Sequence, residues 1–303
     1  MNLTAWIGLA VMVISEAATL ARIEPFWSWN TPIAWTGFIL FADGIVWRAR
    51  GDSWLRSDGR EFVVLAIVSI PLWLVFEGYN QIIRNWFYVG LPENFALRMF
   101  GYGWSFATIW PAIFEGAELV AVLRAGRAGR AGGTGTTGRA GRAGRAGTAG
   151  GTETYVGSGF SRTLIAIGAV MLVSPFLVPS DVAPYMAAPV WLGFIFLLDP
   201  INARLGGESL LADLHADRRD RLVNLALSGL LCGVLWEFWN YWSRAKWHYT
   251  VPIMENMKLF EMPLPGYLGF AAFAIECFTM YVFVRAVFAR ITRRAHTGRT
   301  IAL

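Results

Sequence analysis

Polar side chains at helical spacing interrupt the apolar stretches of this chain, and they are the residues best suited to chemistry. Glu237, Asn240, Tyr241 and Arg244 follow the i, i+3, i+4, i+7 pattern that places side chains on one face of a helix. An equivalent stripe occurs earlier in the chain, at Glu77, Asn80, Gln81 and Arg84. Each stripe predicts either a polar pocket or a glutamate that is internally paired with its arginine.

Two further acids lie deeper within apolar segments. Asp199 is about twelve residues, or roughly 18 Å, from the start of its segment, and Glu276 is about ten residues, or roughly 15 Å, from the start of its own. Because burial disfavours the charged form of a carboxyl group, such side chains are expected to be neutral acids. A neutral acid could protonate a double bond, carry protons in a transporter, or join two helices by a hydrogen bond.

Aromatic residues are dense around Glu237. They are Trp236, Trp239, Tyr241, Trp242, Trp247 and Tyr249. Tryptophan and tyrosine commonly anchor helix ends at the level of lipid headgroups, but this density exceeds what anchoring requires. Because aromatic faces attract cations, this aromatic cluster would suit a substrate that develops a carbocation, such as an isoprenoid. It would equally suit a quaternary-ammonium headgroup.

The composition predicts a polytopic membrane protein. With 303 residues, 55% hydrophobic content and 16% charged residues, the chain is too apolar for an ordinary soluble domain. A span needs about 20 apolar helical residues. Segments of this kind are predicted near residues 3–20, 32–48, 62–80, 103–122, 162–178, 187–203, 222–242 and 267–288. The predicted fold class is therefore an all-α membrane protein with about eight transmembrane helices.

The second half of the sequence repeats the first. Residues that recur at identical spacing are Trp35, Gly37, Phe38, Ile39, Asp43, Ile45 and Arg48, which return as Trp191, Gly193, Phe194, Ile195, Asp199, Ile201 and Arg204. Four predicted spans in each half make the two repeats parallel. Matching acids are then expected at equal depth across a central cavity: Asp43 with Asp199, Glu77 with Glu237, and Glu115 with Glu276.

Four regions follow from this organisation. Residues 1–123 form the first four-helix repeat and residues 161–290 the second. Between them, residues 124–160 are rich in arginine, alanine and glycine, which is typical of a disordered linker. Residues 291–303 are predicted to be a basic cytoplasmic tail.

The distribution of basic residues predicts the orientation. Of 26 lysines and arginines, six lie in the loops at 21–31, 81–102 and 243–266, and the others are on the opposite side. By the positive-inside rule both termini are cytoplasmic, which predicts a multi-pass protein of the inner (plasma) membrane. Anchoring loops account for the net charge of +5, so a nucleic-acid partner is not expected. Two cysteines and three histidines at unrelated spacing predict no metal site and no cofactor.

Residues 236–276 resemble a known family of enzymes. The order here is Trp236-Glu237 on one helix, an aromatic loop, then Pro263-Leu264 and Phe270 at the start of the next helix. This order resembles the membrane-embedded lycopene cyclases of the heterodimeric or fused type, which belong to carotenoid biosynthesis. In that family an acid precedes a Pro-Leu-Glu-Glu segment, and the acids are thought to protonate the polyene. Glu237 matches the first position, whereas Pro265-Gly266 replaces the Glu-Glu pair and Glu261 precedes the prolines.

The leading hypothesis is an integral membrane enzyme that acts on an apolar isoprenoid or carotenoid by acid catalysis, as a cyclase-like isomerase would. The predicted catalytic residues are Glu237, Glu276, Asp199 and Asn240. The predicted substrate-binding residues are Trp236, Trp239, Tyr241, Trp247, Tyr249, Glu261, Glu77, Asn80, Glu115 and Asp43. A proton-coupled or ion transporter and a non-catalytic membrane scaffold are the alternatives. The working site is expected mainly in the second half, whose outer loop carries more aromatic residues.

Overall fold

A computed structural model describes residues 1–131, 159–292 and 299–301. The larger part of the predicted linker, residues 132–158, lies outside the described residues, as do residues 293–298 and 302–303 of the predicted tail.

Helices make up most of the described chain. They are α1 (Leu3–Leu20), α2 (Phe26–Arg50), α3 (Trp54–Ser57), α4 (Gly59–Ile83), α5 (Phe95–Ala131), α6 (Gly159–Val173), α7 (Ala187–Arg204), α8 (Leu210–His215), α9 (Asp220–Trp242) and α10 (Gly266–Thr292). Four short strands accompany them: β1 (Trp86–Val89), β2 (Lys246–Tyr249), β3 (Lys258–Leu259) and β4 (Met262–Pro263). Helix α5 runs to Ala131, so the first residues of the predicted linker are helical.

Six helices of the described chain are long and apolar enough to cross a membrane: α1, α4, α5, α9, α10, and α6 together with the 3-10 turn Ser174–Phe176 that extends it. The chain is therefore an all-α, multi-pass membrane protein. The predicted spans 32–48 and 187–203 lie in α2 and α7, which are helical but fall outside these six.

Helices α2 and α7 are less apolar because each buries polar side chains against neighbouring helices. Asn30 of α2 is fully buried; it accepts a hydrogen bond from Ser15 of α1 at 2.7 Å and donates one to the carbonyl of Trp239 at 3.3 Å. Asn202 of α7 is equally buried and donates to the carbonyl of Thr279 in α10 at 2.9 Å. These contacts satisfy groups that would be costly to expose to lipid.

Glycines allow two helix pairs to cross closely. A Cβ atom on Gly8 of α1 would lie 2.3 Å from the backbone nitrogen of Phe41 in α2. A Cβ atom on Gly168 of α6 would lie 2.4 Å from the backbone nitrogen of Leu197 in α7. Since real Cβ atoms do not approach backbone so closely, both crossings require glycine.

Strands β1 and β2 form an antiparallel pair that joins the two halves of the chain. Trp86 faces Tyr249 and Tyr88 faces Trp247 in this pair. We call this end of the helical bundle the strand end. The opposite end contains the short helices α3 and α8.

The C-terminal residues return to the opposite end of the bundle. Helix α10 continues to Thr292, so the region predicted as a tail begins as helix. Beyond it, the Arg299 guanidinium lies 3.0 Å from carboxylate oxygens of both Asp52 and Asp58, and Ile301 is fully buried. The last described residues are therefore packed against the helices.

The close crossing of α6 and α7 predicts a selective effect of adding one methyl group. Gly168→Ala should lower the free energy of unfolding by about 1–3 kcal/mol, because the backbones must move apart. Gly78→Ala is the matched control, since a Cβ atom there meets nothing within 4 Å and alanine favours a helix. Thermal unfolding in detergent measures both variants. Equal midpoints for the two variants would contradict the glycine argument.

Candidate functional site

A cavity of about 490 Å³ lies at the strand end of the bundle. Its walls are mainly apolar and rich in aromatic side chains, and Arg98 and Lys246 also line it. The aromatic residues of the wall include Trp29, Trp35, Trp73, Trp86, Tyr88, Tyr102, Phe106, Tyr185, Trp191, Trp236, Trp247, Tyr249, Phe270 and Phe273. Both halves of the chain contribute, and the paired strands supply Trp86, Tyr88, Trp247 and Tyr249. The site thus draws equally on the first half, whereas the sequence predicted a site mainly in the second.

Glu237 stands behind this wall and reaches it through a tyrosine. Its side chain is fully buried, and Oε1 accepts a hydrogen bond from the hydroxyl of Tyr249 at 2.9 Å. That hydroxyl in turn accepts a hydrogen bond from Nε1 of Trp247 at 2.8 Å. Tyr249 and Trp247 line the cavity and Glu237 does not. Of the pair, Tyr249 therefore belongs to the cavity wall and Glu237 supports it from behind.

Glu77 forms the corresponding arrangement in the first half. Its Oε1 accepts hydrogen bonds from the hydroxyl of Tyr88 at 2.5 Å, from Nε1 of Trp73 at 2.8 Å and from Nε1 of Trp86 at 3.3 Å. All three donors line the cavity, while Glu77 lies behind them. Two acid–tyrosine pairs, Glu77–Tyr88 and Glu237–Tyr249, thus flank one aromatic cavity.

Burial of the hydroxyl raises the pKa of Tyr249 well above its ordinary value, and the neighbouring charge of Glu237 raises it further. The pKa of Tyr88 is likewise raised well above its ordinary value, by burial first and then by the charge of Glu77. Both tyrosines therefore keep their protons at neutral pH and remain hydrogen-bond donors.

Asn80 and Asn240 hold the two strands on the helices. Oδ1 of Asn240 accepts from the backbone nitrogen of Trp247, and its Nδ2 donates to the carbonyl of the same residue, both at 2.9 Å. Asn80 accepts from the backbone nitrogens of Asn85 and Trp86 and donates to the carbonyl of Trp86 at 2.8 Å. Neither side chain lines the cavity. Both asparagines therefore position the strands of the cavity wall, whereas the sequence predicted a catalytic role for Asn240 and a substrate-binding role for Asn80.

The predicted pairing of glutamate and arginine along one stripe is wrong. Helix α9 ends at Trp242, and the Arg244 guanidinium lies 3.3 Å from a carboxylate oxygen of Glu24. Arg84 ends α4 with a left-handed backbone conformation (φ 51°), which also takes it off the helical stripe. Neither arginine therefore lies on the helical stripe of its glutamate, and each glutamate accepts a hydrogen bond from a tyrosine instead.

Glu276 lies one helical turn beyond Phe273, the cavity residue on the same face of α10. It is fully buried, and both carboxyl oxygens are without a hydrogen-bond partner among the described residues. Phe273 lines the cavity and Glu276 does not, so the glutamate lies behind the cavity wall.

Asp43 and Asp199 lie at the opposite end, where they bind the starts of short helices. Asp199 accepts hydrogen bonds from the hydroxyl of Ser209 at 2.9 Å and from the backbone nitrogens of Leu210 and Leu211 at 2.8 Å. Asp43 accepts from the backbone nitrogen of Leu55 at 2.9 Å. Glu115 lies near Asp43 and is 1% exposed. None of these three acids lines the cavity, and the matched positions of Asp43 and Asp199 reflect binding of helix starts.

Some of the other predicted substrate-binding residues line the cavity, and others lie around it. Trp236 lines the cavity, and Trp239 packs behind it against Trp35 with ring centroids 4.9 Å apart. Tyr241 is 39% exposed, as expected for a residue that anchors a helix end. Glu261 lies 2.8 Å from Nδ1 of His248 and 3.3 Å from Nζ of Lys246, so it belongs to a polar cluster beside the cavity.

Sequence reasoning missed several wall residues, chiefly Trp35, Trp73, Trp191, Tyr88 and Thr31. The repeat did contain a signal for three of them, because Trp35 recurs as Trp191 and Tyr88 recurs as Tyr249. Within the described part of the chain, no group of three or more histidine, cysteine, aspartate or glutamate side chains could hold a metal ion. Comparisons with protein-family models, curated proteins and solved structures found no match.

The tyrosine pKa values predict loss of stability in alkali. Tyrosines in the unfolded chain ionise near pH 10, while Tyr88 and Tyr249 stay protonated in the fold, so the unfolded state binds fewer protons and stability falls as pH rises above about 10. Replacing both by phenylalanine should make thermal unfolding less sensitive to pH between about 9 and about 11. Tyr241→Phe is the surface control. An unchanged pH dependence in the double variant would refute the assignment.

Proposed function

We propose that this protein is an integral membrane enzyme that binds an apolar isoprenoid or carotenoid lipid and converts it by acid catalysis. One observation carries the proposal: two tyrosine hydroxyls, each hydrogen-bonded to a glutamate carboxyl group, flank a largely apolar, aromatic-rich cavity of about 490 Å³. Cavities of this size and lining suit lipid-sized apolar molecules. The resemblance to lycopene cyclases around Glu237 agrees with the same chemistry.

In this proposal Glu237 supplies the proton through Tyr249. The step requires a protonated Glu237 whose carboxyl group donates to the Tyr249 hydroxyl, the reverse of the direction described above, so that the phenolic proton can point at the substrate. As this hydroxyl passes its proton to a double bond of the substrate, it takes the proton of Glu237, so the carbocation and the carboxylate form together. Loss of a proton from a neighbouring carbon back through Tyr249 restores the acid. The net reaction is an isomerisation or cyclisation that needs no other reactant.

The aromatic walls would stabilise the intermediate cation. Trp236 and Trp73 both line the cavity, with ring centroids 5.9 Å apart, and aromatic faces attract positive charge. Glu77 accepts three hydrogen bonds at one oxygen, whereas Oε1 of Glu237 accepts one, from Tyr249. This difference supports Glu237 as the proton source and Glu77 as a fixed acceptor that favours positive charge in the cavity.

Transport along a row of acids is less well supported. Along α5, the fully buried Trp110 and Phe114 lie between the cavity residue Phe106 and Glu115. Phe114 stacks on Trp54 at the opposite end, with ring centroids 6.2 Å apart. Packed aromatic rings therefore separate the cavity from Glu115, which is a poor environment for an ion. A scaffold would have no need for a large cavity at this place.

We also infer eight spans arranged as two parallel four-helix repeats in the inner (plasma) membrane, with both termini cytoplasmic. Three features support this arrangement. Glycine crossings join α1 to α2 and α6 to α7, Asp43 and Asp199 bind the starts of α3 and α8, and both halves carry an acid–tyrosine pair. Since α2 and α7 are covered by α1 and α6, they can cross a membrane despite their polar residues.

The acid-catalysis proposal predicts that Glu237→Gln abolishes conversion while leaving the fold intact. Lipids would be extracted from cells that express each variant and supply an acyclic polyene, which is lycopene in one strain and an oxygenated acyclic carotenoid in another. We expect at least a roughly 100-fold loss of product for Glu237→Gln and a similar loss for Tyr249→Phe. Glu255→Gln, the same change at an exposed position on the strand-end side, is the control and should behave as the unchanged protein.

Two results of this experiment would count against the proposal. Native conversion by Glu237→Gln would exclude this residue as the proton source. A lipid profile that is the same with and without the unchanged protein would favour transport or scaffolding.

A further inference from the structure

Three buried polar atoms in the cavity wall lack a hydrogen-bond partner among the described residues. They are Oγ1 of Thr31, Nε1 of Trp35 and Oδ1 of Asn85. The three residues are 7%, 2% and 2% exposed, respectively. Buried polar groups are nearly always hydrogen-bonded, so unpartnered ones at a cavity wall indicate a ligand that supplies the partner.

Thr31 and Trp35 lie on the same face of α2, one turn apart, and neighbouring side chains fix the direction of the indole. Residues at i and i+4 of a helix are adjacent on its surface. The Trp35 ring packs edge-on against Trp236 and Trp239, with centroid distances of 5.7 and 4.9 Å. The indole nitrogen can only donate and therefore requires an acceptor, whereas the threonine hydroxyl can donate to the same acceptor or accept.

We propose that the cavity takes a lipid bearing an acceptor oxygen, a carbonyl or a hydroxyl, and that Thr31 and Trp35 bind this oxygen. A pure hydrocarbon would leave both donors buried and unpaired, which is unfavourable. This inference rests on the proposed function, because it names the substrate class of the same cavity. It narrows that class from apolar lipids in general to oxygenated isoprenoid-type lipids.

Asn85 supports a ligand that is not a hydrocarbon. Its Nδ2 donates to the carbonyls of Ile83 at 3.1 Å and Pro184 at 2.9 Å, which fixes the orientation of the amide. Its Oδ1 is then an acceptor at a second position of the wall. The cavity therefore offers polar groups at more than one place, as an oxygenated lipid would use.

Binding to purified full-length protein in detergent, measured as occupancy by native mass spectrometry, tests this inference. The probes are decylubiquinone for a carbonyl, geranylgeraniol for a hydroxyl and squalene for a hydrocarbon. We expect one or both oxygenated probes to bind more tightly than squalene. Thr31→Val should weaken binding of the preferred probe by roughly 3- to 10-fold and leave binding of squalene unchanged, because the substitution removes one donor and little volume.

Two further variants separate hydrogen bonding from packing. Thr31→Ser restores the hydroxyl and should recover most of the preference. Thr36→Val is the matched control: it lies on the same helix outside the cavity wall, and its hydroxyl already donates to the carbonyl of Pro32 at 2.8 Å and accepts from Nε1 of Trp104 at 3.0 Å. It should not change the preference.

Each other outcome overturns the inference. Equal binding of all probes, or a preference that survives Thr31→Val, would mean that water satisfies these donors. Absence of any binding would exclude oxygenated lipids as ligands. The conversion assay with Glu237→Gln tests the proposed function separately. If conversion depends on Glu237 but oxygenated probes bind no more tightly than squalene, only the inference is refuted. If oxygenated probes bind more tightly but conversion does not depend on Glu237, only acid catalysis by Glu237 is refuted.

Discussion

The antiparallel pairing of β1 with β2 is the interaction on which the candidate site depends. It sets Tyr88 opposite Trp247 and Trp86 opposite Tyr249, so that one short ribbon carries both tyrosines to one cavity. Asn80 and Asn240 hold this ribbon to the ends of α4 and α9 by bonding its backbone groups. Backbone groups need hydrogen-bond partners wherever water is scarce, and the two asparagines supply them for this ribbon. Because the ribbon is held in place, its two tyrosine hydroxyls are held next to the two glutamates.

The acids of this protein serve different purposes according to what surrounds them. At the strand end, Glu77 and Glu237 accept hydrogen bonds from tyrosines of the cavity wall and lie behind that wall themselves. At the opposite end, Asp43 and Asp199 bind backbone nitrogens at helix starts. Whether a carboxyl group binds a tyrosine hydroxyl or the start of a helix thus depends on which donors the fold brings to it, although all four residues are acids.

Much of the architecture was predictable because it depends on local sequence. All eight segments predicted as spans are largely helical, since apolar runs of that length form helices in a membrane. The repeat also predicted matching positions for Glu77 and Glu237, and in the structure each accepts a hydrogen bond from a tyrosine of the paired strands. The roles of Asp199, Asn240 and Arg244 were not predictable, because each depends on where a helix ends and which loop folds back onto it.

The sequence by itself determined that the chain is an all-α membrane protein and that acids and aromatic residues cluster near its loops. Only the tertiary structure decided which of them meet. Trp86 and Tyr249 are far apart along the chain yet adjacent in one strand pair, and Thr31 lines the same cavity as Tyr249. The physical reason is that helical periodicity fixes which side chains share a face, whereas strand pairing and helix crossing fix which faces enclose a common space.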